Sequence, residues 1–367
     1  MAGSVNRDGY FRGNTTAATA DVLLYPALGV DVGTQPRIRR GGVLQGGIDL
    51  VRDHTAISTL AVLALVVVIV IGVKGAHDTG QTTINGLVSG SYFALGAVGL
   101  TLVYGILKLV NFAHGDFLTF GAYMAFLANV TLGWPVVAAV AFGVAATAVL
   151  GIGLEVALWR PMRAKGAGML QLLLMTLGLA FLLRNGIQFV AGTQLRSLNV
   201  NVTSAIAFGS FRIGRTELIV VVVGFAVLLL VAAMLKYTLL GKQMRALSDN
   251  FDLAETTGVD TNRIVLVTWV FAGGLAGLAG VLYAASIGSM TPNIGFDLLL
   301  SLFAAVIVGG IGNAYGALAG GILLGVVQEW STLFFAARWK LAVGFVILIL
   351  VLIVRPQGLF GQAGRTG

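Results

Sequence analysis

The sequence predicts an all-α, polytopic membrane protein of about 8 transmembrane helices, with one glycine-rich re-entrant or broken segment. Three observations carry this expectation. Hydrophobic residues make up 57% of the 367 and charged residues only 10%, against roughly 25% charged in soluble domains; mean hydropathy is +0.93. Several apolar runs approach or exceed the ~20 residues needed to cross a hydrocarbon core. These runs are continuous rather than alternating, which argues for helices and against a barrel.

Taken in order, residues 1–55 are polar and carry a basic cluster, Arg37, Arg39 and Arg40. They lack the early charged and apolar segments of a signal peptide and read as a flexible cytoplasmic extension. A membrane domain is expected over 56–358, followed by a cytoplasmic tail, 359–367. The expected spans are 56–73, 82–105, 112–132, 135–158, 169–190, 217–235, 264–286 and 341–354. Positive-inside bias places the amino terminus, the loop with Arg160, Arg163 and Lys165, and the loop 236–263 on the cytoplasmic side. The segment 191–216 then falls outside, and its Arg196, Arg212 and Arg215 run against the rule. Basic residues at the carboxyl end, Arg355 and Arg365, favour an inside tail. With eight crossings, that requires the stretch 298–327 to enter and leave by one side; the alternative is a single crossing with the tail outside.

Glycine accounts for 51 residues, about twice the usual share. Where lipid supplies little hydrophobic drive, small residues let helix backbones approach. Gly312, Gly316 and Gly320 are four apart, as are Gly273 and Gly277; both sets read as packing faces. Polar residues inside apolar runs mark candidate path or gate positions. In "VNFAHGDFLTFGAY" (110–123) these are Asn111, His114 and Asp116. Asp116 is also placed to N-cap the following helix, and Asn111 and His114 would share a face if that backbone is helical. They either border a substrate path or lock a helix break near the inner surface. Arg184 and Asn313 join the candidates, although Arg184 is close enough to a span end to snorkel. The loop 236–263 holds four basic and four acidic residues. A short helix starting at Asp249 or Asn250 and stopping at Gly258 fits its sequence. Such a polar helix between two spans suits a groove on a soluble partner.

Other chemistries are thinly supported. There is no cysteine, and the three histidines (His54, His77, His114) are scattered, which gives no convincing metal site. No G-x-x-x-x-G-K-[S/T] appears, so any ATP hydrolysis must come from a partner. The positive charges lie in loops, which is not a nucleic-acid footprint. No cofactor is expected, and no catalytic constellation is present.

Four stretches resemble the permease subunits of branched-chain amino acid ABC importers: "INGLVSGSYFALGAVGLTLVYGILKLVNFAHGDFLTFGAY" (84–123), "GVDTNRIVLVTWVFAGGLAGLAGVLYA" (258–284), "AAVIVGGIGNAYGALAGGILLGVVQ" (304–328) and "VRPQGLFG" (354–361). The resemblance implies a prokaryotic plasma-membrane subunit that pairs with a second, homologous permease. Two ATP-binding cassette subunits would dock beneath, and an external solute-binding protein would deliver substrate. On this resemblance Asn111, His114 and Asp116 belong to the signature after the second span. Asp249, Asn250, Asp252, Ala254, Glu255 and Gly258 belong to the ATPase coupling helix. Permeases for urea and short-chain amides are similar to the same family. A stand-alone secondary transporter or channel is the competing reading, and it leaves the capped polar loop without a purpose.

Overall fold

The computed structural model describes residue 68 and residues 70–361. The expected extension 1–55, most of the span 56–73, and residues 362–367 lie outside them. Residues 68 and 70–74 are helical. The chain then forms α1 (Ala76–Leu107), α2 (His114–Phe126, continued by a π-helical turn, Leu127–Thr131), α3 (Val136–Leu154, continued through a π turn, Glu155–Trp159, to Ala164) and α4 (Met169–Ala191). After the strands β1 (Ala205–Phe208) and β2 (Phe211–Gly214) come α5 (Arg215–Tyr237), α6 (Leu239–Asp249), α7 (Phe251–Thr256) and α8 (Thr261–Ile287). The last three helices are α9 (Ile294–Gly309), α10 (Ala314–Ser331) and α11 (Lys340–Val354). Among the described residues, six helical stretches are long and apolar enough to cross a membrane.

The stretch 298–327 is a helical hairpin, not one crossing. Gly310 and Gly312 take φ of 108° and 84°, values open to glycine and costly for a side chain. Asn313 caps α10 by accepting from the N–H of Tyr315 and of Gly316, 3.1 and 3.2 Å away. Gly312 therefore departs from the expected packing face: it lies in the turn, with nothing near the site of a side chain. The tail folds back onto this turn. Leu359 N–H donates to Val308 O (2.8 Å) and Phe360 N–H to Gly309 O (3.1 Å), and Asn313 Nδ2 donates to Phe360 O (2.9 Å). Two carbonyls that a helix C-terminus leaves orphaned are satisfied this way. The start of the expected tail is thus docked on this turn.

Glycines set the seams of the bundle. A methyl at Gly86 would lie 2.6 Å from Val326 Cα, and one at Gly90 would lie 2.9 Å from Ile322 Cα. From the other side, Gly321 abuts Ala94, and Gly325 abuts Gly86 and Gly90. Two i, i+4 glycine rows therefore bring the backbones of α1 and α10 together. Gly316 and Gly320 pack against Gly309 and Ala305 within the hairpin. Gly273 meets Thr147 of α3, and Gly277 meets Thr147 and the carbonyl of Gly143. Position in the bundle follows: 94% of the apolar window of α1 is buried, against 17% for α4 and 11% for the stretch containing α11.

The segment 191–216, which the charge pattern places outside, contains an antiparallel pair with Phe208 opposite Phe211. Gly209 at φ 60° supplies the positive dihedral that a two-residue hairpin turn requires.

Candidate functional site

The break before α2 is the first of two polar regions. Lys108 ends α1 in a left-handed conformation, φ 51°, and residues 109–113 run back along α1. His114 Nε2 then lies 2.9 Å from Gly96 O, eleven residues, or about 16 Å, from the end of α1. The polar cluster therefore sits halfway along the bundle, not at an end as a surface helix break would. The Thr176 hydroxyl of α4 lies 3.3 Å from the carbonyl of Val110, sharing its proton with the nearer Leu173 O (2.7 Å). Non-helical backbone at this depth is tolerated only inside protein or beside a cavity.

Asn111, His114 and Asp116 are all fully buried. Asn111 lies outside the helix, so it shares no helical face with His114; its Oδ1 accepts from Ala113 N–H (3.1 Å). Asp116 is not the N-cap, because α2 already begins at His114. Its carboxylate is taken by Arg184 of α4, with Nε donating to Oδ1 (3.0 Å) and Nη2 to Oδ2 (3.3 Å). Arg184 does not snorkel. It stacks over Phe296 at 4.0 Å, on the first turn of α9. Asn111 Nδ2 and His114 Nδ1 have no partner among the described residues, which is uncommon for buried polar atoms in native structures.

Phe296 and its neighbour Asp297 also line the second region, a cavity of about 800 Å³ between α1, α8, α9, α10 and α11. Glu329 anchors it: Lys340 Nζ donates to Oε1 at 2.6 Å, and Ser89 Oγ donates to the same oxygen at 2.9 Å. Tyr92 OH donates in turn to Ser89 Oγ (3.1 Å). Asp297, Glu217 and Arg338 share the lining. None of these cavity residues is prominent in sequence. Glu329 and Lys340 lie at helix ends, where a charge is unremarkable, and only the antiparallel return of the chain puts them together.

The loop 236–263 occupies the opposite end of the bundle. Thr238 caps α6, and Asn250 caps α7 by accepting from Leu253 N–H (3.0 Å). Asp249 closes α6 instead of starting α7. Ala254 is buried, while Asp252, Glu255 and the apolar Phe251 and Leu253 are exposed. Gly258 takes φ 86°, and Val259 N–H closes the turn on Ala254 O (3.1 Å). Asn313 is engaged in capping and in holding the tail, and it lines a polar cleft at this same end. At this end too, Glu155, in its π turn, receives Arg163 and Trp269 Nε1 (2.7 Å), a buried lock that the sequence alone did not single out.

Residues 82–352 match the family described as branched-chain amino acid transport system, permease component. The chain is 32% identical over 295 residues to the high-affinity branched-chain amino acid transport system permease protein BraD of Pseudomonas aeruginosa, covering 77% of this chain and 95% of that protein. It is 31% identical over 295 residues to the high-affinity branched-chain amino acid transport system permease protein LivH of Escherichia coli, with the same coverage. Ribose import permease protein RbsC of Escherichia coli is 29% identical over 309 residues, covering 81% and 92%. No solved structure matches.

Proposed function

The chain belongs to the branched-chain amino acid transport permease family, and from that premise we propose that it forms, with a second homologous permease, the membrane path of an ATP-driven importer in a prokaryotic plasma membrane. Its cargo is a branched-chain amino acid delivered by an external solute-binding protein. Two ATP-binding subunits supply the energy. The amino terminus and the α6–α7 end face the cytoplasm, in keeping with the lysines and arginines of 236–263; the β-hairpin end faces outward.

One observation carries the reading most directly. The cavity at the β-hairpin end presents a base and an acid in contact, Lys340 and Glu329, with further charges of both signs beside them. An amino acid arrives as a zwitterion and needs a cation for its carboxylate and an acid for its ammonium. An ion pair poised to exchange partners offers both without leaving either charge bare. Ribose, the cargo in the name of one relative, carries no charge and so cannot replace either member of the pair as a counter-ion. In proteoliposomes containing the whole assembly, Glu329→Gln and Lys340→Gln should each lower leucine uptake by about tenfold, equivalent to ~1.4 kcal/mol of binding. Unchanged uptake by both variants, at equal incorporation, would remove the zwitterion argument.

At the other end, α7 supports docking of the ATP-binding subunits. It is a capped, exposed turn with two apolar side chains amid acids, a form suited to a groove on a soluble partner. Gly258→Val has open space around it, so its effect comes from the backbone alone, a strain of about 1–3 kcal/mol. We expect normal membrane insertion but ATP hydrolysis no longer tied to uptake. Retained coupling would mean that this turn does not transmit.

A further inference from the structure

We infer that the trough between α2 and α4 binds one anionic glycerophospholipid, its acyl chain along the trough and its phosphate at Arg196. The trough has a volume of about 700 Å³ and is mostly apolar, lined by side chains such as Phe120, Leu127, Leu183 and Ile187. On α4 it runs from Leu182 to Ala191, nine residues along or about 14 Å. That is half of a ~30 Å hydrocarbon core, the depth of one leaflet. Gly186 leaves its middle open, with nothing near the site of a side chain.

Three polar side chains, Tyr123, Thr131 and Arg196, interrupt the apolar lining, and two of them have unused hydrogen-bonding capacity. Tyr123 is 4% exposed, and its hydroxyl has no partner among the described residues. Arg196 Nε is also buried without a partner among them. Arg196 sits at the α4 C-terminus, with Nη2 donating to Ala191 O (3.2 Å) and its guanidinium 5.7 Å from the Phe126 ring centre. It is in no ion pair among the described residues. Its backbone is fixed, since Arg196 N–H donates to Met290 O (3.0 Å) and Met290 N–H to Arg196 O (2.7 Å). A cation and a hydroxyl donor, both with unused capacity, thus meet one leaflet-length apolar channel. A phosphodiester accepts from guanidinium and hydroxyl alike, and its acyl chain supplies what the channel lacks. A packed protein helix would cover the trough but bring no anion of its own. The assignment also gives a role to one of the three arginines that run against the positive-inside rule.

The test uses the full chain in nanodiscs of phosphatidylcholine, with phosphatidylglycerol added at increasing fractions, read by melting temperature and by native mass spectrometry of retained lipid. Phosphatidylglycerol should raise the melting temperature of the wild type and remain bound. Arg196→Gln and Tyr123→Phe should each weaken retention by about tenfold, while Arg196→Lys keeps most of it. Gly186→Leu, which adds bulk only to the open trough, should abolish retention while leaving the charge in place. Equal retention by all variants, equal stabilisation by phosphatidylcholine alone, or a protein subunit found seated in the trough by cross-linking from Gly186→Cys would each overturn the inference.

Discussion

Arg184→Ala is expected to cost about 3–5 kcal/mol of stability and to remove most of the folded protein from the membrane. Asp116 is fully buried and Arg184 only 14% exposed. Removing the guanidinium leaves a carboxylate halfway along the bundle with no cation to meet it, and breaking a buried pair from one side carries that penalty. Total stabilities of 5–15 kcal/mol leave little margin for it. In detergent, the melting temperature of whatever folds should fall by about 10 °C. Arg184→Lys should recover only part, because a single ammonium cannot make both bonds of the planar fork or stack as well on Phe296. The double variant Asp116→Asn with Arg184→Gln, which removes both charges, should fold better than Arg184→Ala. Size-exclusion profiles of fluorescently tagged full-length chains would decide this. A normal profile for Arg184→Ala would show that the pair carries no structural weight.

Gly325→Ala should also be severely destabilising, with the sign reversed at an otherwise similar position, Gly178. A methyl at Gly325 falls on the backbone of Gly90 and Gly86, and backbone cannot rotate aside as a side chain can. Overpacking in a core typically costs 1–3 kcal/mol; separating α1 from α10 along the whole seam belongs at or above the top of that range. Gly178, on the exposed face of α4, has open space. There alanine should stabilise, by up to ~1 kcal/mol through helix propensity. Thermal melts of the two variants side by side would test the seam directly. Equal and small shifts would mean that α1 and α10 do not meet as described.

Which of these features a reader of the sequence can find depends on how locally each is determined. The turn in α9–α10 is legible because "GGIGN" carries its own signal: residues free to take positive φ, then a side chain that caps. Asn250 and Gly258 are legible for the same reason. Gly273 and Gly277 announce a packing face, but nothing in their spacing says that Thr147 lies opposite. Gly312 shares that spacing and belongs to a turn, because the period of a row does not reveal where the helix starts. Asp116 and Arg184 each look like a local feature, a cap and a snorkel. Their pairing spans 68 positions in the chain and becomes visible only when α2 and α4 lie side by side. The same holds for Glu329 and Lys340, and for the depth of His114, which follows from the chain doubling back after Lys108.

The docking of the tail on the α9–α10 turn has a consequence for how the protein is made. Synthesis runs from the amino end, so Val308 and Gly309 leave the ribosome about fifty residues before Leu359 and Phe360, which satisfy their carbonyls. Once α10 has followed, the hairpin can close, but its turn still lacks these two bonds. Completion waits for α11 to insert and for the last few residues to emerge. Quality control that inspects half-built membrane proteins therefore meets this chain with its final latch still open. A nonsense codon shortly before Gly358 would yield a product with every long apolar helix present, yet permanently in that unlatched form.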